Sequence, residues 1–206
     1  MSTVLARIKT GYTNGGRGLG MALMGRFRSL PFTPNQVTVA GLSLNGVTAV
    51  LIYERHFVWA TVAFIAGSIL DILDGALARS HGKLTQFGSF LDSTTDRISE
   101  GFVLGAIALV LSKQGHEAAL ASVFVALVGS FLVSYTRAKA EAIGLRGDVG
   151  LMARAERIVL IAIVLPFAGH GSLTWGIYVL AALTAFTVVQ RIAFVHKQLK
   201  QKEAEG

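Results

Sequence analysis

The chain has 206 residues, 52% of them hydrophobic and only 15% charged, with a mean hydropathy of +0.58. This excludes a disordered chain, which lacks apolar mass, and is too apolar for an ordinary soluble domain, where about 25% of residues are charged. The absence of Cys excludes a disulfide framework, a thiolate zinc site and a Cys nucleophile, and the net charge of +7 in so apolar a chain points to a membrane surface and not to nucleic acid.

Residues 1–30 carry Arg7, Lys9, Arg17, Arg26 and Arg28, no acid and no long apolar run. A cleaved signal peptide needs an apolar core of about 7–15 residues, so this stretch reads as a basic, amphipathic juxtamembrane segment. The alternative is a disordered basic tail. From Val37 the chain alternates long apolar runs with short polar breaks, predicting six spans over 37–53, 57–78, 87–111, 118–136, 158–169 and 173–195. A crossing helix needs about 20 residues, so the fifth, with Pro166, is short. The expected fold is an all-α membrane protein of six transmembrane helices, with one membrane domain over 31–196 and a cytoplasmic tail over 197–206.

The breaks differ in charge. With the N-terminus inside, the outer connections hold only Arg55 and Lys113, and the other seventeen of the nineteen cations fall on the opposite side. Basic loops stay cytoplasmic, so both termini are expected to be cytoplasmic.

Asp71, Asp74, Asp92 and Asp96 lie in or beside predicted spans, where an ionised Asp costs about 2.5–3.5 kcal/mol on insertion scales. The spacings i,i+3 and i,i+4 put each pair on one helix face, and the short loop 79–86 brings the two pairs to the same membrane surface. Four carboxylates need cations, and an all-oxygen donor set suits Mg²⁺, Mn²⁺ or Ca²⁺. Two such ions clamp the attacking and leaving oxygens of a phosphoryl displacement. Simple pairing with Arg79 and Arg97 is the bland alternative, but two Arg do not balance four Asp. Gly75 and Gly88 would let phosphates approach the backbone, or would serve helix packing.

The string Asp71-x-x-Asp74-Gly75-x-x-Ala78-Arg79, eight residues, Gly88, three residues, Asp92, three residues, Asp96 resembles the signature of the CDP-alcohol phosphatidyltransferases. The resemblance implies a membrane enzyme of six helices, a homodimer, whose site opens to the cytoplasmic side of a bacterial cell membrane. It implies a donor, CDP-diacylglycerol, whose phosphatidyl group passes to an alcohol with release of CMP. Asp71, Asp74 and Asp92 would hold two metals, Mg²⁺ or Mn²⁺, and Asp96 would lie beside them as general base. A hydroxyl is a poor nucleophile and needs such a base within hydrogen-bond reach.

Upstream, Thr33-Pro34-Asn35-Gln36-Val37-Thr38 opens the first span. A polar residue before Pro34 makes a helix N-terminus, and the stretch also resembles the family's cytidine-binding segment. Asn35, Gln36, Val37, Thr38, Gly75, Arg79 and Thr85 are therefore donor-binding candidates, Arg79 for the pyrophosphate.

The acceptor is sought among the cations between spans four and five. Ser134-Tyr135-Thr136-Arg137-Ala138-Lys139-Ala140-Glu141, Gly144-Leu145-Arg146-Gly147-Asp148, Arg154-Ala155-Glu156-Arg157 and the late Gln190-Arg191 resemble the actinobacterial phosphatidylinositol phosphate synthase branch. Arg offers a planar fork for phosphate, and Ser134, Arg137, Arg154, Arg157 and Arg191 fall on positions that bind inositol phosphate in that branch. Some of these charges also serve simply to orient the protein. Arg137 replaces a Lys common there, and Ala155 replaces a Pro. Phosphatidylglycerophosphate synthesis is the near alternative. A cation transporter using the acidic cluster is the remote one.

Overall fold

The computed structural model describes residues 32–80 and 85–204. The expected juxtamembrane segment, 1–30, lies outside them. Six α-helices follow one another: α1 Pro34–Tyr53, α2 Phe57–Ser80, α3 Gln86–Lys113, α4 Glu117–Ala142, α5 Arg154–Val164 and α6 Ser172–Ala204, with a 3₁₀ turn Leu165–His170 between the last two. Among the described residues there is no strand, and helices are one of only two ways to satisfy every backbone group in lipid.

Four helices are long and apolar enough to cross a membrane: α1, α2, α4 and α6. The third predicted span is a helix of 28 residues, but Asp92, Asp96, Arg97 and Glu100 leave only the part after Glu100 strongly apolar. The fifth is broken. α5 has 11 residues and the turn after it 6, together about 28 Å long at the usual rises. Pro166 forces the change, since a proline lacks the N–H that would continue the α ladder. The helices otherwise follow the predicted spans, with α4 running to Ala142 and α6 to Ala204, beyond the expected ends at 136 and 195.

The chain forms two compact units. The first combines residues up to Leu44 with Ala66–Asp96. In it α1 and α2 approach closely at Gly41, where an added Cβ would lie 2.6 Å from Asp71 Oδ1 and 3.4 Å from the Gly67 carbonyl.

The second unit combines Asn45–Ile65 with the chain from Arg97 onward. Its core is a continuous apolar cluster that includes Ile52, Phe64, Leu104, Ile107, Leu165 and Leu180. α4 and α6 pack along each other, and α5 and the 3₁₀ turn pack on α6. The turn between α1 and α2 and the end of α3 meet through the Lys113 ammonium, 3.7 Å above the Tyr53 ring. Outward the helices present large apolar side chains, Val58, Trp59, Phe124, Trp175 and Val189 among them, each more than half exposed. A water-facing surface does not carry so much apolar area; a lipid-facing one does.

The α4–α6 contact depends on a missing side chain. A Cβ on Gly129 would lie 2.6 Å from Thr184 Oγ1 and 2.9 Å from Thr184 Cβ, and Thr184 is fully buried. Gly129→Val is expected to destabilise the protein by about 1–3 kcal/mol through overpacking, measured as a lower unfolding midpoint in detergent. An unchanged midpoint would contradict the close approach.

Candidate active site

The acidic site is built in the first unit, and it starts with how α1 begins. Thr33 and Gln36 form a reciprocal cap: the Thr33 N–H donates to Gln36 Oε1 at 2.9 Å, and the Gln36 N–H to Thr33 Oγ1 at 3.4 Å. This is the capping box, with Pro34 at the first helical position. It sets the phase of α1, so that Asn35 and Thr38 line one polar pocket while Gln36 and Val37 line a separate apolar one. Thr85 plays the matching part for α3, accepting the Gly88 N–H on its hydroxyl at 2.9 Å.

The polar pocket, about 190 Å³, is lined by Asn35 and Thr38 from α1, Asp74, Gly75, Ala78 and Arg79 from α2, and Thr85, Gly88, Ser89 and Asp92 at the start of α3. Asp74 lies at its base and is 3% exposed. The Thr38 hydroxyl is 2.5 Å from Asp74 Oδ2 and 3.1 Å from the Pro34 carbonyl. Its single proton goes to the carboxylate, because a charged acceptor makes the stronger bond. Asp74 Oδ1 is buried and has no hydrogen-bond partner among the described residues. Arg79, one turn on, folds back over Gly75: a Cβ there would lie 3.5 Å from Arg79 Nη1. At Gly88 a Cβ would fall 2.9 Å from Thr85 Oγ1. Both glycines keep the pocket floor open.

Of the remaining acids, Asp92 lines the pocket with Asp74, and Asp71 lies against Gly41 and within electrostatic reach of Asp74. Asp96 is half-buried, one turn beyond Asp92 on α3. Among the described residues no three acidic or histidine side chains close around a single point. The donor set nevertheless fits a hard divalent cation: it is all oxygen, and a buried carboxylate oxygen without a donor is costly unless a cation meets it.

The cationic candidates belong to the second unit, and they differ. Arg137 on α4 is exposed and pairs with Glu141 at 2.8 Å, an i,i+4 contact worth only about 0.3–0.5 kcal/mol. Ser134 and Arg154 are half-buried, Arg154 as the first residue of α5. Arg157, 1% exposed, donates from Nε and Nη2 to the two oxygens of Glu100 and from Nη1 to the Met152 carbonyl at 3.2 Å. Arg191, 3% exposed, donates from Nε to the Val149 carbonyl at 2.7 Å and from Nη1 to the Val133 carbonyl. Beside them, hydrogen bonding from the exposed Arg146 holds the Asp148 carboxyl below the usual carboxylate range.

Sequence reasoning missed Gly41 and Glu100, and named Gln36 as a donor-binding candidate without its capping role. Gly41 carried no signal apart from being a glycine in a span. Gln36 completes a Thr-x-x-Gln capping box that was legible as such. Glu100 was an acid in a predicted span, the same signal that singled out the aspartates.

Thr38 donates to Asp74 Oδ2, and removing the donor behind a metal ligand typically lowers metal affinity about 10–100-fold. With Asp74 taken as a ligand, Thr38→Val is expected to raise the Mn²⁺ concentration for half-maximal activity within that range. A metal requirement equal to wild type would detach Thr38 from the metal site.

The family profile described as CDP-alcohol phosphatidyltransferase matches residues 32–196. The chain is 39% identical over 180 residues to the phosphatidylinositol phosphate synthase of Corynebacterium glutamicum, covering 84% of this chain and 82% of that one. It is 38% identical over 174 residues to the archaetidylinositol phosphate synthase of Pyrococcus horikoshii, covering 84% and 88%. The structure is similar to that of the Mycobacterium tuberculosis phosphatidylinositol phosphate synthase with CDP-DAG bound, with a TM-score of 0.78 and 29% identity over 85% of this chain and 92% of that one. The same enzyme in complex with manganese and citrate matches with the same TM-score and identity over 85% and 88%. The chain belongs to the CDP-alcohol phosphatidyltransferase family.

Proposed function

We propose that the protein is a phosphatidylinositol phosphate synthase, transferring the phosphatidyl group of CDP-diacylglycerol to 1D-myo-inositol 3-phosphate and releasing CMP. The observation that carries this reading is the polar pocket, which gathers Asn35, Thr38, Asp74, Gly75, Arg79, Thr85 and Asp92, in a fold shared with an enzyme whose structure has CDP-DAG bound. The two relatives' names agree on an inositol phosphate product and differ in the lipid, phosphatidyl in one and archaetidyl in the other.

In this reading Asn35 and Thr38 face the cytidine end of the donor, and the Arg79 guanidinium pairs with the pyrophosphate over Gly75. Gln36 and Val37 border the apolar pocket of about 420 Å³ with Phe32, Leu70, Leu73 and Leu77, a lining suited to an acyl chain. Asp96 takes the proton of the acceptor hydroxyl. That oxygen bonds to the phosphatidyl phosphorus, and the bond from this phosphorus to the CMP oxygen breaks with its electron pair leaving on CMP. Asp71, Asp74 and Asp92, with Asp96 beside them, would hold two divalent ions, Mg²⁺ or Mn²⁺, which would neutralise the carboxylates and stabilise charge on the pyrophosphate. Arg137 gives up its weak surface pair to bind the acceptor phosphate with Arg154 and Ser134. Arg154 is the first residue of α5 and is half-buried.

The protein is a homodimer in the cell membrane, with six spans and both termini and the site on the cytoplasmic side. Tyr53, Trp59 and Trp175 fall at the helix ends assigned to the outer face, and aromatic side chains favour a membrane interface.

Purified protein given CDP-diacylglycerol, a divalent metal and radiolabelled acceptor tests this directly. Inositol 3-phosphate is expected to enter lipid with matching CMP release, and EDTA to stop it. Incorporation of glycerol 3-phosphate in its place would overturn the acceptor, and absence of CMP release the reaction. Asp96→Asn is expected to lower kcat by about 10²–10⁴-fold, the usual contribution of a general base; full activity would remove Asp96 from that role.

A further inference from the structure

Within the first unit, contacts between α1 and α2 run in opposite directions along the two helices. Thr38 meets Asp74, and one turn further along α1 Gly41 meets Asp71, three residues before Asp74. α1 therefore faces two acids of the site by two different devices. To Asp74 it offers a hydroxyl, and to Asp71 an absent side chain.

The space at Gly41 is fitted to the acid and not to the helix behind it. A Cβ there would lie 2.6 Å from Asp71 Oδ1, but 3.4 Å from the Gly67 carbonyl oxygen and 3.6 Å from Leu70 Cβ. The last two are separations that a packed interior tolerates, and only the first is a collision. Glycines elsewhere in the fold differ. A Cβ on Gly147 would meet Arg137 Cα at 2.9 Å, and one on Gly176 would meet Val164 Cγ1, Cγ2 and Cβ at 2.6, 2.7 and 3.1 Å. Those glycines let a backbone or a stiff branched side chain approach. Gly41 makes room for one carboxylate oxygen, the far end of a side chain that turns more readily than a backbone moves. It does so while buried in the middle of α1, where Ala would be the better helix former.

We infer that Gly41 is a positioning residue for the divalent-cation site: the methyl it lacks is the seat of the Asp71 carboxylate. A side chain at position 41 turns that carboxylate out of the arrangement that binds the cation, and leaves α1 and α2 packed as before.

This inference rests on the reading of Asp71 as a metal ligand. Mn²⁺ titration of the purified full-length protein without substrates, followed by electron paramagnetic resonance, tells the two apart. Wild type is expected to bind Mn²⁺ and Asp71→Asn to bind it more weakly. No binding by the wild type, or wild-type affinity in Asp71→Asn, would overturn that reading and this inference with it. Gly41→Ala is expected to weaken Mn²⁺ affinity about 10–100-fold, as loss of a ligand's support does. The double variant should bind no more weakly than Asp71→Asn alone, because both changes remove the same ligand. The unfolding midpoint of Gly41→Ala in EDTA should equal or exceed that of the wild type, since only the carboxylate has to move. Unchanged Mn²⁺ affinity in Gly41→Ala, with Asp71→Asn weakened, would overturn the inference and leave Asp71 a ligand. So would losses that multiply in the double variant, or a midpoint in EDTA well below wild type, either of which would make Gly41 a packing residue.

Discussion

An ion placed within apolar helices must meet an opposite charge, a set of donors or a metal, because water is not there to solvate it. The architecture here follows from how each buried charge meets that demand. Asp74 receives one hydroxyl proton from Thr38 and retains a buried oxygen with no protein donor among the described residues. Arg157 has its charge met by Glu100 and donates one further bond to a backbone carbonyl. The first arrangement is short of positive charge and the second has its counter-ion within the protein.

The two compact units divide the chemistry in the same way. In the first, helix starts built on Thr33 and Thr85 aim Asn35, Thr38 and Asp92 at one pocket with Asp74 and Arg79. In the second, arginines anchor an irregular connection to helices, leaving Arg137 in a surface ion pair of little strength. The second unit needs neither a sheet nor a disulfide, because the apolar cluster around Leu104 and Ile107 supplies its core.

Much of this was legible in the chain. Helical span length follows from hydropathy, so α1 and α2 were readable almost to their ends, while α4 and α6 continue past their apolar runs into polar sequence, and charge within α3 and Pro166 after α5 explain why the other two fall short of a uniform apolar helix. The pocket residues were readable because the signature fixes helical spacing, which fixes the face. Gln36 and Val37 go to a neighbouring apolar pocket because adjacent helical residues point about 100° apart. The division of the arginines was not legible. A guanidinium held by Glu100 and one free to exchange its partner are the same letter in sequence, and only the packing of α3, α5 and α6 distinguishes them.

The account stands or falls on the carboxylates being a cation site. Anomalous diffraction from crystals grown with Mn²⁺, compared between wild type and Asp74→Asn, measures this without reference to turnover. The expected result is manganese density against the side chains of Asp71, Asp74 and Asp92 in the wild type and its loss in the variant. No manganese at these residues, or density unaffected by the substitution, would contradict it.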